Sequence, residues 1–275
     1  MDAQLKINSA ESNIGPGLFF RDVLAGVTAR DVWMAFALDE MRARYRRSVL
    51  GLLWIIVSYA IFVVGISLFF GSFAEMGGGK FTLYVAIGYA VFLLLISNVV
   101  DGCMVFSNSA VWIKSTSLPY SVYIYQSIFR SVLPFTLQMT IIVALMIALK
   151  VQLQWTVLLV FPALVLFLLT VIPAQYLLGF ISARFRDLQH LVDSITRILI
   201  FMTPILWVLE EREGVTALLG NINPLTHYVE IFRAPLMGAD IRWISWLVVL
   251  GMIVCLWLAA MIAMMRMRRR LPFWI

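Results

Sequence analysis

The amino-acid sequence predicts an all-α membrane protein of about six transmembrane helices, with an N-terminal amphipathic interface helix and re-entrant or interfacial helices between spans five and six. Three observations predict it. Hydrophobic residues fill 62% of the 275 positions and charged residues only 13%, a balance that polar surface could not cover in a water-soluble domain of this length. Six apolar stretches approach the roughly 20 residues needed to cross about 30 Å of hydrocarbon. Lysine and arginine concentrate in alternate connections between those stretches, on one side of the membrane.

Residues 1–17 are polar and carry Gly15, Pro16 and Gly17, which predicts a mobile lead; residues 18–275 then form one transmembrane domain. No cleavable signal peptide is expected, because the first long apolar run begins only near Leu50, after several charges. Over 18–47 the pattern is amphipathic, with Trp33, Phe36, Ala37 and Met41 at helical spacing and charges between them. Such a helix lies along the membrane surface, since no soluble domain is present to bury its apolar face. The spans run over approximately 50–70, 81–105, 120–149, 155–181, 191–209 and 243–265. Pro134, Pro162, Pro173 and Pro204 fall inside them and predict kinks, tolerated where neighbours satisfy the freed carbonyls. Asp193 and Arg197 shorten the apolar part of the fifth span. The stretch 210–242 mixes Glu210, Glu211 and Glu213 with an apolar, aromatic run over 223–237 and carries Pro224, Pro235 and Gly238. It reads as short re-entrant or interfacial helices, with a folded external loop as the plainer alternative.

Fifteen of the 21 lysines and arginines fall on the side that holds both termini and five on the other, with Arg130 inside a span. Basic flanks are retained in the cytoplasm, so both termini are expected there. The densest clusters, Arg42, Arg44, Arg46 and Arg47, then Arg266, Arg268, Arg269 and Arg270, abut the first and last spans and suit anionic lipid headgroups. They account for the net charge of +6 without nucleic acid.

Catalytic chemistry is sparse. Gly77, Gly78, Gly79 and Lys80 hint at a phosphate loop, but that motif needs glycine where Ala74 stands and Ser or Thr where Phe81 stands. His190 and His227 fall on opposite sides of the membrane and suit surface roles, so no metal site is expected. Cys103 and Cys255 read as packing residues in or beside apolar runs. Asp101 and Arg130 lie near the inner ends of consecutive antiparallel spans, where they could form a buried pair or snorkel separately to the interface.

Four segments resemble the permease subunits of ABC-type polysaccharide exporters, the group that exports O-antigen, capsule and teichoic acid. Arg44, Tyr45, Arg46 and Arg47 followed by Ser48, Leu50, Gly51 and Trp54 are similar to the family's signature ahead of the first span. Residues 114–119 resemble its short cytoplasmic segment ending in proline. Arg186 and Asp187, leading to Thr203 and Pro204, resemble the elements around span five, and Asn223 and Pro224 through Phe232 and Arg233 resemble its external asparagine-proline segment. Arg47 and Leu52 depart from the pattern, standing where many members have a small residue or proline.

The resemblance implies a half-transporter that binds no cofactor itself. It pairs with a second copy and recruits two separate nucleotide-binding ATPase subunits carrying ATP and Mg, in a bacterial inner membrane. Force from those subunits must enter through docked rigid elements, so Trp112, Lys114, Pro119, Phe185, Arg186 and Asp187 are the candidate couplers. Aromatics anchor such contacts, although Trp112 and Phe185 would equally suit the membrane interface. A lipid-linked polysaccharide needs stacking faces and hydroxyl partners on its way. Trp54, Tyr59, Phe62 and Phe69, with Tyr84 and Tyr89, and Ser58 and Asn98 nearby, are the candidate path, with core packing or lipid contact as the alternative for each. Asn223 and Pro224 are the candidate outer gate. Two other functions fit the composition: an ABC exporter of small hydrophobic drugs, or a membrane-bound lipid-linked sugar transferase or acyltransferase, for which Asp187, His190 and Asp193 are the inner-face candidates.

Overall fold

The computed structural model describes residues 16–46, 48–72, 76–152, 154–209, 211 and 213–275. Most of the predicted lead, Arg47 of the arginine signature, Ala74 and Glu210 lie outside the described residues. All regular elements among the described residues are helical. Two helices, α1 (Pro16–Thr28) and α2 (Arg30–Tyr45), precede the first long apolar helix, α3 (Leu53–Phe70). Then come α4 (Gly78–Asn108), the short α5 (Ala110–Ser115) and α6 (Tyr120–Ala148). A 3-10 turn, Trp155–Leu159, leads into α7 (Val160–Arg184), and α8 (Asp187–Met202) follows. The chain ends with α9 (Gly214–Ile222), α10 (Pro224–Met237), α11 (Trp243–Met267) and α12 (Leu271–Trp274).

Among the described residues, five helices are long and apolar enough to cross a membrane: α3, α4, α6, α7 with its 3-10 turn, and α11. Among them α4 is central: two thirds of its most apolar stretch is buried, against about a tenth for α3. It packs on α6, α7 and α10, and small residues let the backbones approach. At Gly179 a Cβ would come within 2.8 Å of the Phe106 ring, and at Gly102 within 3.1 Å of Gln175. A polar thread crosses this apolar centre: Gln175 Nε2 donates to Asn98 Oδ1 at 2.9 Å, and Asn98 Nδ2 donates to Ser131 Oγ at 2.7 Å. Pairing polar groups with one another is what makes them tolerable where no water enters.

The fifth predicted span differs from expectation. Helix α8 covers 16 residues, about 24 Å at 1.5 Å per residue, and ends at Met202 where the prediction continued to 209. Thr203 is extended (φ −92°, ψ 135°), the conformation forced on a residue before proline, so Pro204 stops the helix where a kink was expected. Residues 203–209 continue as a non-helical stretch in which Thr203, Pro204 and Ile205 are buried. Pro162 falls in the first turn of α7, whereas Pro134 and Pro173 lie inside their helices. In the segment that follows, α10 begins with Asn223 as N-cap and Pro224 in its first turn, and ends on Gly238 in the left-handed conformation (φ 64°), the natural punctuation for a short helix.

Candidate functional site

The bundle has a basic end, carrying α1, α2, α5 and α12, and a far end carrying α9 and α10. At the basic end, Asp22 is buried on the face of α1 that also presents Phe19, Val23 and Gly26. Its carboxylate accepts from the backbone N–H groups of Tyr120 (3.3 Å) and Ser121 (3.0 Å) and from the Tyr176 hydroxyl. Helix α6 has Pro119 at its N-cap and no capping side chain of its own. Asp22 therefore caps α6 from another element, satisfying first-turn donors and setting a negative charge at the positive helix end. The approach is close: a Cβ on Gly26 would meet Ser121 Oγ at 2.2 Å.

Arg130 forms a second junction. Its Nη2 lies 2.9 Å from Asp101 Oδ2, its Nη1 contacts Glu40 Oε1, and Gln126 Nε2 donates to Glu40 Oε2 at 3.2 Å. One guanidinium thus ties α2 to α4 and α6. The sequence pointed to Asp101 and Arg130; Glu40 is the partner it missed. Beside the junction opens a cavity of about 510 Å³ whose lining includes Phe36, Asp39, Glu40, Trp112, Gln126 and Arg130. Trp112 is 50% exposed, and its ring lies 5.1 Å from that of Phe36.

The candidate couplers share this end. Trp112 and Lys114 lie on α5, Pro119 opens α6, and Phe185, Arg186 and Asp187 form the exposed corner between α7 and α8. The last residues of the chain join the two groups: Lys114 Nζ donates to the Ile275 carbonyl, while the Arg184 guanidinium lies 5.3 Å from the Phe185 ring and 5.4 Å from the Trp274 ring.

The aromatic path residues separate into three settings. Phe62 and Tyr89 stack with centroids 3.8 Å apart, and Tyr59 continues the stack at 5.9 Å from Tyr89. The Tyr59 hydroxyl donates to the Ala86 carbonyl at 2.6 Å, so its polar edge is already used. Trp54 and Phe69 stand apart from this stack on the exposed face of α3, Phe69 at 76% exposure. Ser58 is tied to the Trp54 carbonyl, and Asn98 belongs to the buried polar thread.

Tyr84 faces the far end. Its hydroxyl contacts the carbonyls of Pro204 (3.2 Å) and Trp207 (3.3 Å), and Arg233 stacks its guanidinium 3.6 Å from the Tyr84 ring centroid while Nη2 donates to the Pro204 carbonyl at 2.7 Å. Asn223 is fixed as well: Oδ1 accepts from the Leu225 N–H at 3.0 Å, and Nδ2 donates to Thr203 Oγ1 at 2.9 Å. The threonine-proline and asparagine-proline motifs, twenty residues apart in sequence, are thus one hydrogen-bonded unit. His227 is buried here and not on the surface as expected. Its Nε2 pairs with the Asn221 carbonyl at 2.9 Å, which only accepts, so Nε2 carries the proton and neutral Nδ1 accepts from Ser245 Oγ at 3.1 Å. Burial lowers its pKa from the usual value, with the nearby Arg242 charge adding to the effect and the Asn221 hydrogen bond opposing it.

Asp187, His190 and Asp193 share α8, but no hydrogen bond or ion pair joins their side chains. Among the described residues no group of three His, Cys, Asp or Glu side chains could hold a metal ion. The residues missed by sequence reasoning were Asp22 and Glu40. For Asp22 a signal existed: an acid at helical spacing with Phe19, Val23 and Gly26 sits on the face that otherwise reads as apolar.

Two polar junctions at one end, an aromatic stack in the span region and a proline-capped unit at the other end are thus set along one apolar helical bundle. Residues 32–237, from α2 to the end of α10, match the ABC-2 type transporter family, and the chain belongs to that family, whose members are transporter permeases. Membership implies an ATP-binding subunit as partner. Among individual proteins, the chain is 25% identical over 208 residues, 74% of its own length and 80% of the relative's, to the O-antigen export system permease protein RfbA of Myxococcus xanthus.

Proposed function

We propose that the chain is the transmembrane half of an ATP-driven exporter that moves a lipid-linked, O-antigen-like polysaccharide from the cytoplasm to the outer face of a bacterial inner membrane. Two copies work with two nucleotide-binding subunits that carry ATP and Mg. The basic end is cytoplasmic and receives the ATPases on Trp112, Lys114, Phe185, Arg186 and Asp187. Helix α8 with the stretch 203–209 makes the sixth crossing, and the unit built on Asn223 and Pro224 closes the outer side. The reading is carried by one observation: the family match spans the surface helix, both candidate docking corners and the asparagine-proline unit together. The relative's role in O-antigen export supports the polysaccharide over a small molecule.

The docking geometry favours a lever. Motion of an ATPase against α2 reaches the spans through Glu40 and Arg130, and motion of α1 reaches α6 through Asp22, because hydrogen-bonded junctions transmit displacement where loose contacts slip. The test is deletion of this chain with its ATPase subunit left intact. Loss of surface glycan with lipid-linked polymer retained inside is the expected result; unchanged surface glycan, with sensitivity to hydrophobic drugs appearing instead, would assign the chain to drug efflux.

A further inference from the structure

Arg233 is 3% exposed, and its Nε and Nη1 have no hydrogen-bond partner among the described residues. No carboxylate of the described residues lies within 4.0 Å of it. What it touches is neutral: the Pro204 carbonyl, the face of Tyr84, and Gly88, where a Cβ would stand 2.2 Å from Nη2. Carbonyl and ring solvate a cation without neutralising it. Tyr84 and Gly88 fall six and ten residues into α4 from Gly78, so the guanidinium sits about 9–15 Å in from the far-end start of that span. An uncompensated charge at that depth is costly, and it marks a functional site by default.

We propose that Arg233 is an anion site for a membrane-borne phosphate, the headgroup of a lipid or of a lipid-linked cargo. A planar guanidinium matches two phosphate oxygens at once, and phosphate is the anion that the surrounding bilayer supplies. The cover over the guanidinium is the non-helical stretch 203–209, held here by Pro204 and Trp207 carbonyls through Arg233 and Tyr84. Displacing that stretch frees Nη2 and opens the fork to a phosphate, so anion binding and release of the Thr203 and Asn223 unit are coupled. The site rests on this chain being a membrane permease and not on which polymer it carries.

The test uses the full chain purified in neutral detergent and offered dioleoyl phosphatidic acid, dioleoylglycerol or inorganic pyrophosphate, with bound molecules counted by native mass spectrometry. Lipid held by the arginine clusters at the basic end is common to all variants and cancels. Wild-type protein is expected to retain one more phosphatidic acid per chain than Arg233→Gln, at least about tenfold more tightly than dioleoylglycerol. Competition by pyrophosphate would identify the phosphate group alone as the ligand, and resistance to it the whole lipid. Should Arg233→Gln not fold, Arg233→Lys keeps the charge without the fork and is expected to hold phosphatidic acid at least about threefold less tightly. Equal retention by wild type and Arg233→Gln, or wild-type affinity in Arg233→Lys, would overturn the proposal and leave the side chain as a cap on the stretch after α8. Because no transport is measured, a protein that binds lipid phosphate yet exports no glycan would refute the proposed function and leave this site standing.

Discussion

Asp22 performs the service that a capping residue normally gives its own helix, but across two elements, so removing it exposes α6 donors and loosens α1 together. Asp22→Ala is expected to cost about 1–3 kcal/mol, the range for an N-cap whose buried partners are left unsatisfied. Thermal unfolding in detergent would read this as a lower midpoint, and Asp22→Ser, which keeps an acceptor, should recover part of it. Arg130 holds two acids. Neutralising one by Asp101→Asn leaves Glu40 in place and should cost about 1 kcal/mol or less, whereas Arg130→Ala strands both partly exposed carboxylates and should cost about 1–3 kcal/mol. Equal effects from the two substitutions in the same unfolding measurement would mean that Glu40 takes no part in the junction. These junctions were half legible in sequence. Asp101 and Arg130 stood out because charges within apolar runs are rare, whereas Glu40 sits among Asp39, Arg42 and Arg44 on a helix whose charges all look solvated, and only the three-dimensional approach of α2 to α6 singles it out.

Among the elements, the five long helices were legible because length and composition alone set them, and the observed ends of α4, α6 and α11 fall within a few residues of the predicted ones. The fifth span was misread beyond Met202, since hydropathy does not register that Thr203 before Pro204 must leave the helical region. What the stretch does instead depends on Arg233, Tyr84 and Asn223, none of them local to it. The same unit carries a pH dependence. His227 is neutral in the folded state with its pKa lowered, so the unfolded chain takes up its proton first as pH falls. Its contribution is complete above the unfolded value of about 6.5 and declines as pH drops through the lower folded value. Protection factors over 214–237, which divide out the intrinsic pH dependence of amide exchange, should therefore be lower at pH 5.5 than at pH 7.5 in wild type, and His227→Gln should remove the difference. A pH effect that survives the substitution would place its origin elsewhere.

At the scale of the whole molecule, apolar helices pack around α4, two polar junctions fasten α1 and α2 to that bundle at one end, and two proline motifs form a single unit at the other. Sequence made the class legible, because short motifs in the right order survive where overall identity is 25%, but it did not show which aromatics meet. Tyr59, Phe62 and Tyr89 stack while Trp54 and Phe69 do not, a distinction set by the rotation of α3 against α4 that spacing along one helix cannot supply. The most direct test of the central claim is transport in proteoliposomes: the chain, with or without its ATPase subunit, is given a lipid-linked polysaccharide on one face, and the fraction reaching the other is read by digestion with an added glycan hydrolase. Crossing is expected only when ATPase subunit and ATP are both present. Crossing by this chain alone, or none while the assembled complex hydrolyses ATP, would contradict it.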